Sequence, residues 1–136
     1  MSEDPARAGW PTLSIGLLAR HLQDGQRRSV IEIADCALWP GTCYALVGES
    51  GIGKTTCLEI LALAQRPERA EAFFLRDRDG EGTDLAALLA RDDGAALSAI
   101  RARHFGYVTQ TSLLLPFLTV RENVELAQKI AGRMDP

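Results

Sequence analysis

The stretch Gly48-Glu49-Ser50-Gly51-Ile52-Gly53-Lys54-Thr55-Thr56 decides how the chain is read. Three glycines stand in nine residues, with a lysine directly before two threonines. Upstream lies the apolar run Tyr44-Ala45-Leu46-Val47, and downstream Cys57-Leu58-Glu59-Ile60-Leu61-Ala62-Leu63, which has helical character. Flexible residues thus sit where a strand is expected to hand over to a helix. The lysine is pointed, because the chain has 13 arginines and only two lysines, Lys54 and Lys129.

The spacing Gly48-x-x-x-x-Gly53-Lys54-Thr55 is that of a phosphate-binding P-loop. A triphosphate needs many donors within a small radius. Glycines let backbone N–H groups turn inward with no Cβ in the way. A helix starting near Lys54 would add its positive end. Lysine supplies a compact charge on a long stem, suited to the β- and γ-phosphates, whereas the planar fork of arginine suits a carboxylate better. The Thr55 hydroxyl stands where it can ligate Mg²⁺. Given this composition, the pattern arises by chance in on the order of one in several hundred chains of this length. Gly48, Glu49, Ser50, Gly51, Ile52, Gly53, Lys54, Thr55 and Thr56 are therefore the expected phosphate-binding residues.

Working outward, Thr12–Leu17 alternates, with Leu13, Ile15 and Leu17 on one face, and reads as a strand. Residues 1–11 read as a loose leader, and residues 12–136 as one domain. His21–Arg28 is polar, with a turn signal at Asp24-Gly25. Ser29–Ala34 is a second strand candidate and Trp39-Pro40-Gly41 a turn. Thr42–Val47 has the near-continuous apolar pattern of a buried central strand. Thr55–Gln65 reads as a helix whose apolar face holds Leu58, Leu61, Ala62 and Gln65, ended by Pro67. Ala70–Leu75 is a third strand, Arg76–Thr83 a loop, and Asp84–Arg103 mostly helix, interrupted near Asp92-Asp93-Gly94. Phe105–Thr109 reads as another strand and Thr111–Leu118 as an irregular apolar segment. Thr119 is an expected N-cap, with Glu122 completing a capping box before a helix over Val120–Ala131. The order predicts an α/β fold, a P-loop core with an antiparallel element from the early strands.

Composition sets the outer limits. The 136 residues fit one domain, and 46% hydrophobic with 24% charged residues is the make-up of a globular protein. A net charge of −3, without a basic block, argues against a nucleic-acid partner. No apolar run is long enough to span a membrane, and the acidic start MSEDPARAGWP lacks a signal-peptide layout. A cytoplasmic location is expected. Cys36, Cys43 and Cys57 form no CxxC pair and read as small buried apolar residues.

A second stretch narrows the choice among P-loop proteins: Phe105-Gly106-Tyr107-Val108-Thr109-Gln110, then Leu113-Leu114-Leu115-Pro116, then Leu118-Thr119-Val120-Arg121-Glu122-Asn123-Val124. Together with GESGIGKTT, it resembles the ATP-binding subunits of ABC transporters over residues 12–131. Within that family it is most similar to the lipoprotein-releasing and macrolide-export type. The resemblance implies ATP and Mg²⁺ as cofactors. It makes Gln110 the Q-loop glutamine, reaching Mg²⁺ or the attacking water. It implies that residues 111–118 meet a transmembrane subunit, that a second ATP-binding subunit completes a dimer, and that the protein is peripheral on the inner face of the membrane. Where the family stacks an aromatic ring on adenine, this chain has His21. Trp10 precedes the first strand and is a less natural substitute.

The resemblance also implies motifs that this chain lacks. No LSGGQ signature, Walker B strand with catalytic glutamate, or switch histidine follows residue 131. The chain therefore looks like the N-terminal portion of an ABC ATPase domain. It is expected to bind nucleotide, with little or no hydrolysis on its own and marginal stability. The alternatives are a complete, non-hydrolysing nucleotide-binding module and another P-loop enzyme such as a small-molecule kinase.

Overall fold

The structure is a computed structural model and describes residues 9–24, 27–77, 80–110, 114–130 and 132. Two long strands, β1 (Leu13–Asp24) and β2 (Arg27–Leu38), pair antiparallel from Leu13↔Leu38 to Asp24↔Arg27. The polar run His21–Arg28 is thus ladder over His21–Asp24 and from Arg27 onward, and Gly25 of the expected Asp24-Gly25 turn lies outside the described residues. Helix α1 (Lys54–Leu61) follows, then β3 (Arg69–Arg76) and the short β4 (Gly82–Asp84). The sheet order is β2-β1-β3-β4, and every pairing is antiparallel. Three further helices follow among the described residues: α2 (Leu85–Ala90), α3 (Gly94–His104) and α4 (Val120–Ile130).

The helix boundaries follow from capping. The Asp84 carboxylate accepts the Ala87 N–H at 2.9 Å and starts α2. Asp93 does the same for α3, accepting from Ala96 at 3.0 Å. Between them, Asp92 takes a left-handed φ of 56° and ends the first helix. The interruption read at Asp92-Asp93-Gly94 is therefore one helix stop and one helix start in three residues.

The core lies between one face of the sheet and α1, α2 and the turn after α1. Leu18, Ile60, Phe73 and Leu85 are fully buried, joined by Leu13, Ile15, Leu63, Leu75, Leu88 and Leu89. The helix face expected from Leu58 and Leu61 is rotated, since Ile60 is buried and Leu58 is exposed. An eight-residue helix in contact with the sheet is oriented by what it meets, and its own weak amphipathicity does not decide. Arg101 donates to the Leu63 carbonyl at 2.9 Å, and Arg66 pairs with Asp92 and donates to the Leu89 carbonyl, tying the end of α1 to α2 and α3.

The alternation along β1 changes phase at Gly16. Leu13 and Ile15 face the core, but Leu18 does so in place of the expected Leu17. The register skips Gly16 in both ladders, and the residues level with it, Asp35 on β2 and Ala72 on β3, have left-handed φ values of 48° and 49°. A Cβ on Gly16 would lie 3.0 Å from the Ala72 Cβ and 3.2 Å from the Glu71 carbonyl oxygen. Only glycine leaves room for the two neighbours to turn there.

Two expected strands do not form. Residues 42–47 run without a ladder, and Val47 is 85% exposed. Residues 105–109 behave likewise, with Val108 93% exposed. An apolar pattern favours an extended backbone, but a strand exists only where a neighbour takes its hydrogen bonds. Among the described residues, none offers that neighbour. The antiparallel element is observed, and the parallel core is absent among the described residues.

Candidate functional site

The loop before α1 has the geometry its glycines predict. Gly51 and Gly53 take φ values of 81° and 104°, where residues with a Cβ are strained. Gly53 is the N-cap, and its carbonyl accepts the first helical hydrogen bond, from Cys57 N–H at 2.9 Å. No side chain caps this helix and no acid lies in its first turn. By contrast, aspartates cap α2 and α3, and Thr119 and Glu122 cap α4. The first N–H groups of α1 are thus left to other acceptors, with the helix dipole adding positive potential.

Lys54 folds back over the loop. Its Nζ donates to the carbonyl oxygens of Gly48, at 2.8 Å, and Glu49, at 2.6 Å. The ammonium is therefore held against the loop by two backbone acceptors, on a side chain long enough to swing to an anion. Thr55, Ser50 and Ile52 are exposed, and Thr56 is half-buried.

The loop rests on the β1–β2 hairpin. A Cβ on Gly53 would fall 2.4 Å from Ile31 Cδ1 and 3.5 Å from Leu22 Cδ1. Glycine at this position serves packing as well as backbone conformation. Strand side chains alternate between faces, so Leu22 meets the loop while His21 projects to the other face, level with Val30. There His21 Nδ1 lies 2.6 Å from Glu68 Oε2, and the His21 N–H donates to Glu68 Oε1 at 3.3 Å. Hydrogen bonding to His21 holds the Glu68 carboxyl below its ordinary range.

Gln110 is exposed, in a segment without regular structure. Among the described residues, no hydrogen bond or ion pair joins it to the Gly48–Thr56 loop. The segment after it shows what the Leu118–Val124 sequence does. Thr119 Oγ1 accepts from the Glu122 N–H at 3.3 Å, and Glu122 Oε2 accepts from the Thr119 N–H at 2.7 Å, the reciprocal pair of a capping box. The Thr119 N–H is the first cause of the lowered Glu122 pKa. Asn123 reaches back: its Oδ1 accepts from Leu115 N–H at 2.8 Å, and its Nδ2 donates to the carbonyls of Leu115, Leu118 and Thr119. The turn before α4 is thus built by one asparagine, whose role no spacing rule reveals. It leaves Phe117 78% exposed and Leu114 exposed. Residues 111–113 lie outside the described residues.

Cys36 and Cys57 are half-buried and Cys43 is exposed, so the expectation of three buried thiols fails at Cys43, which sits in the unpaired segment. Burial, and then the nearby Cys36, push the Cys57 thiol up. All three are free, and among the described residues no group of three or more His, Cys, Asp or Glu could hold a metal. No helix of the described residues is long and apolar enough to cross a membrane.

Comparison with known proteins settles the family. The model of the ABC transporter family matches residues 31–135. The chain belongs to the ABC transporter family. It is 33% identical, over 90% of its length, to the macrolide export ATP-binding/permease protein MacB of Marinobacter nauticus, covering 18% of that protein. It is 37% identical over 76% of its length to MacB of Wolinella succinogenes, covering 14%. It is 34% identical over 98% of its length to the lipoprotein-releasing system ATP-binding protein LolD of Granulibacter bethesdensis, covering 52%. The chain thus spans about half of the LolD relative and under a fifth of the MacB relatives. No solved structure matches it.

Proposed function

We propose that this ABC transporter family chain forms the phosphate-holding portion of an ATP-binding subunit. The loop Gly48–Thr56 carries the reading. It combines left-handed glycines, a helix start without a side-chain cap, and a lysine held against the loop by two carbonyls. Backbone donors of the loop would receive the phosphates, and Lys54 would leave its two carbonyls for the β- and γ-oxygens. Mg²⁺ prefers oxygen donors and keeps several waters. The Thr55 hydroxyl, the Gln110 amide oxygen and the phosphates would form such a set, with Gln110 serving Mg²⁺ or the attacking water.

Exposed Leu114 and Phe117 support a contact of residues 111–118 with a transmembrane subunit, since exposed apolar clusters mark interaction sites. A second ATP-binding subunit would complete the nucleotide site, with the pair peripheral on the inner face of the membrane. The motifs that activate water in this family are not among these 136 residues. The proposed contribution of the chain is therefore binding. Phosphoryl transfer depends on positioning and charge stabilisation that the remaining motifs supply.

Titration with ATP in the presence of Mg²⁺ tests the reading. Saturable binding, lost in Lys54→Ala, is expected. Steady ATP hydrolysis by the chain alone, abolished by that substitution, would overturn the division between binding and hydrolysis.

A further inference from the structure

The sheet has one long open edge. In the order β2-β1-β3-β4, strand β2 has a neighbour on one side only, and its 12 residues contrast with the 3 of β4 at the other edge. Among the described residues, no backbone hydrogen bond reaches β2 from outside the hairpin. An edge of this length is a template for another strand.

The residues that β2 turns away from the core carry a pattern. Ile31 is buried and Ile33 packs against the core, whereas Arg28, Val30 and Glu32 are exposed, Val30 by 53%. Both charges are unmet within the sheet. Strand β1 sets Gln23 level with Arg28 and Ala19 level with Glu32, and among the described residues neither charge is in an ion pair. The order Arg28-x-Val30-x-Glu32 is complementary to itself about Val30. Antiparallel pairing of two copies there sets each Arg28 opposite Glu32 of the other copy, and valine against valine, as a two-fold axis requires. A left-handed φ of 48° at Asp35 interrupts the edge farther on, so a register opposing Arg28 to Asp35 would run through distorted backbone.

We propose that the β2 edge at residues 28–32 is a self-recognition surface, which pairs antiparallel with a second copy of this chain. Main-chain hydrogen bonds supply the attraction, and the two pairings of Arg28 with Glu32 fix the register around the central valines. The surface is independent of the phosphate-loop reading.

Sedimentation equilibrium of the 136-residue chain, with no nucleotide added, tests it. So short a joint is weak, and the mass should climb with concentration from 14.8 kDa towards twice that value. Arg28→Glu alone and Glu32→Arg alone each set like charges opposite one another twice, and should raise the dissociation constant roughly tenfold or more. Mixing the two variants restores both opposite-charge pairs between unlike chains, so association should return. A native chain that stays at 14.8 kDa up to millimolar concentration overturns the proposal. So do charge variants that associate as the native chain does, or that fail to complement each other on mixing. Cross-linking gives a second readout. Oxidised glutathione should link Val30→Cys chains in a Cys43→Ser background, because residues facing each other in a ladder lie within disulfide reach. Glu32→Cys in the same background should stay unlinked. Equal linking at the two positions overturns the register, and the proposal with it.

Discussion

Gly53 rests on Ile31 so closely that a methyl group in place of its hydrogen would lie 2.4 Å from the isoleucine Cδ1 and 3.0 Å from its Cγ1. The last glycine of the loop is therefore bound to the hairpin by shape, and the position of the helix start depends on a side chain 22 residues upstream. Gly53→Ala carries two costs. A left-handed φ of 104° costs an L-residue about 1–2 kcal/mol. Overpacking against Ile31 costs about 1–3 kcal/mol. The double change Gly53→Ala with Ile31→Val should recover part of the second cost and none of the first. Chemical denaturation of Gly53→Ala, Ile31→Val and the double variant measures the split.

Lys54 should be dispensable for folding. Among the described residues its ammonium donates to two loop carbonyls in an exposed setting. Lys54→Ala is expected to change unfolding free energy by less than about 1 kcal/mol, with an unchanged circular dichroism spectrum, while binding of magnesium-ATP falls at least tenfold. A variant that unfolds would show that the lysine holds the loop together and that its loss of binding is indirect.

Acid should loosen the entry to α4. Hydrogen bonds from Thr119 lower the Glu122 pKa, and those from His21 lower that of Glu68. A carboxyl depressed in the folded state stabilises it at pH values above the unfolded pKa. That stabilisation is lost as pH falls through the folded value. The loss should therefore begin near the ordinary glutamate range, about pH 4.3, and continue below it. Glu122→Gln should flatten this limb of the stability–pH curve. An unchanged acid limb in both Glu122→Gln and Glu68→Gln would remove these two groups from the account.

Thiol chemistry should separate the cysteines. Cys43 is exposed in an unpaired segment, whereas Cys57 is half-buried on α1 with its thiol pushed up by burial and by Cys36. The thiolate is the reactive form. Ellman's reagent at neutral pH should modify Cys43 first and Cys57 far more slowly in the native chain. Cys43→Ser should abolish the fast phase.

Much of this was legible in the residues themselves. The alternating run Thr12–Leu17 announced the start of β1, apolar-rich runs announced β2 and β3, the interruption near Asp92-Asp93-Gly94 announced the break between α2 and α3, and Thr119 with Glu122 announced α4. The loop was readable because its chemistry is local: glycines, a lysine and a threonine within nine residues. What escaped depends on residues far apart in the chain. The Glu68 clamp on His21 spans 47 positions, and the seat of Gly53 on Ile31 joins a loop to a strand. Residues 42–47 and 105–109 show the same limit from the other side. Their composition favours extension, but pairing is a property of neighbours that an apolar pattern does not supply. Asn123 was read as part of a family-like string. Its work, four hydrogen bonds that shape the Leu115–Leu118 turn, became visible only in the fold.

The change of phase at Gly16 has a consequence for how β1 tolerates substitution. Before it, odd-numbered residues such as Leu13 and Ile15 are shielded, and after it the even-numbered Leu18 takes that place. A map of every single substitution along the strand would not show one regular stripe. Polar residues would be rejected at odd positions up to Ile15 and accepted at the next odd one, Leu17, with intolerance resuming at Leu18. The glycine works as a punctuation mark, after which the same alphabet is read in the other frame.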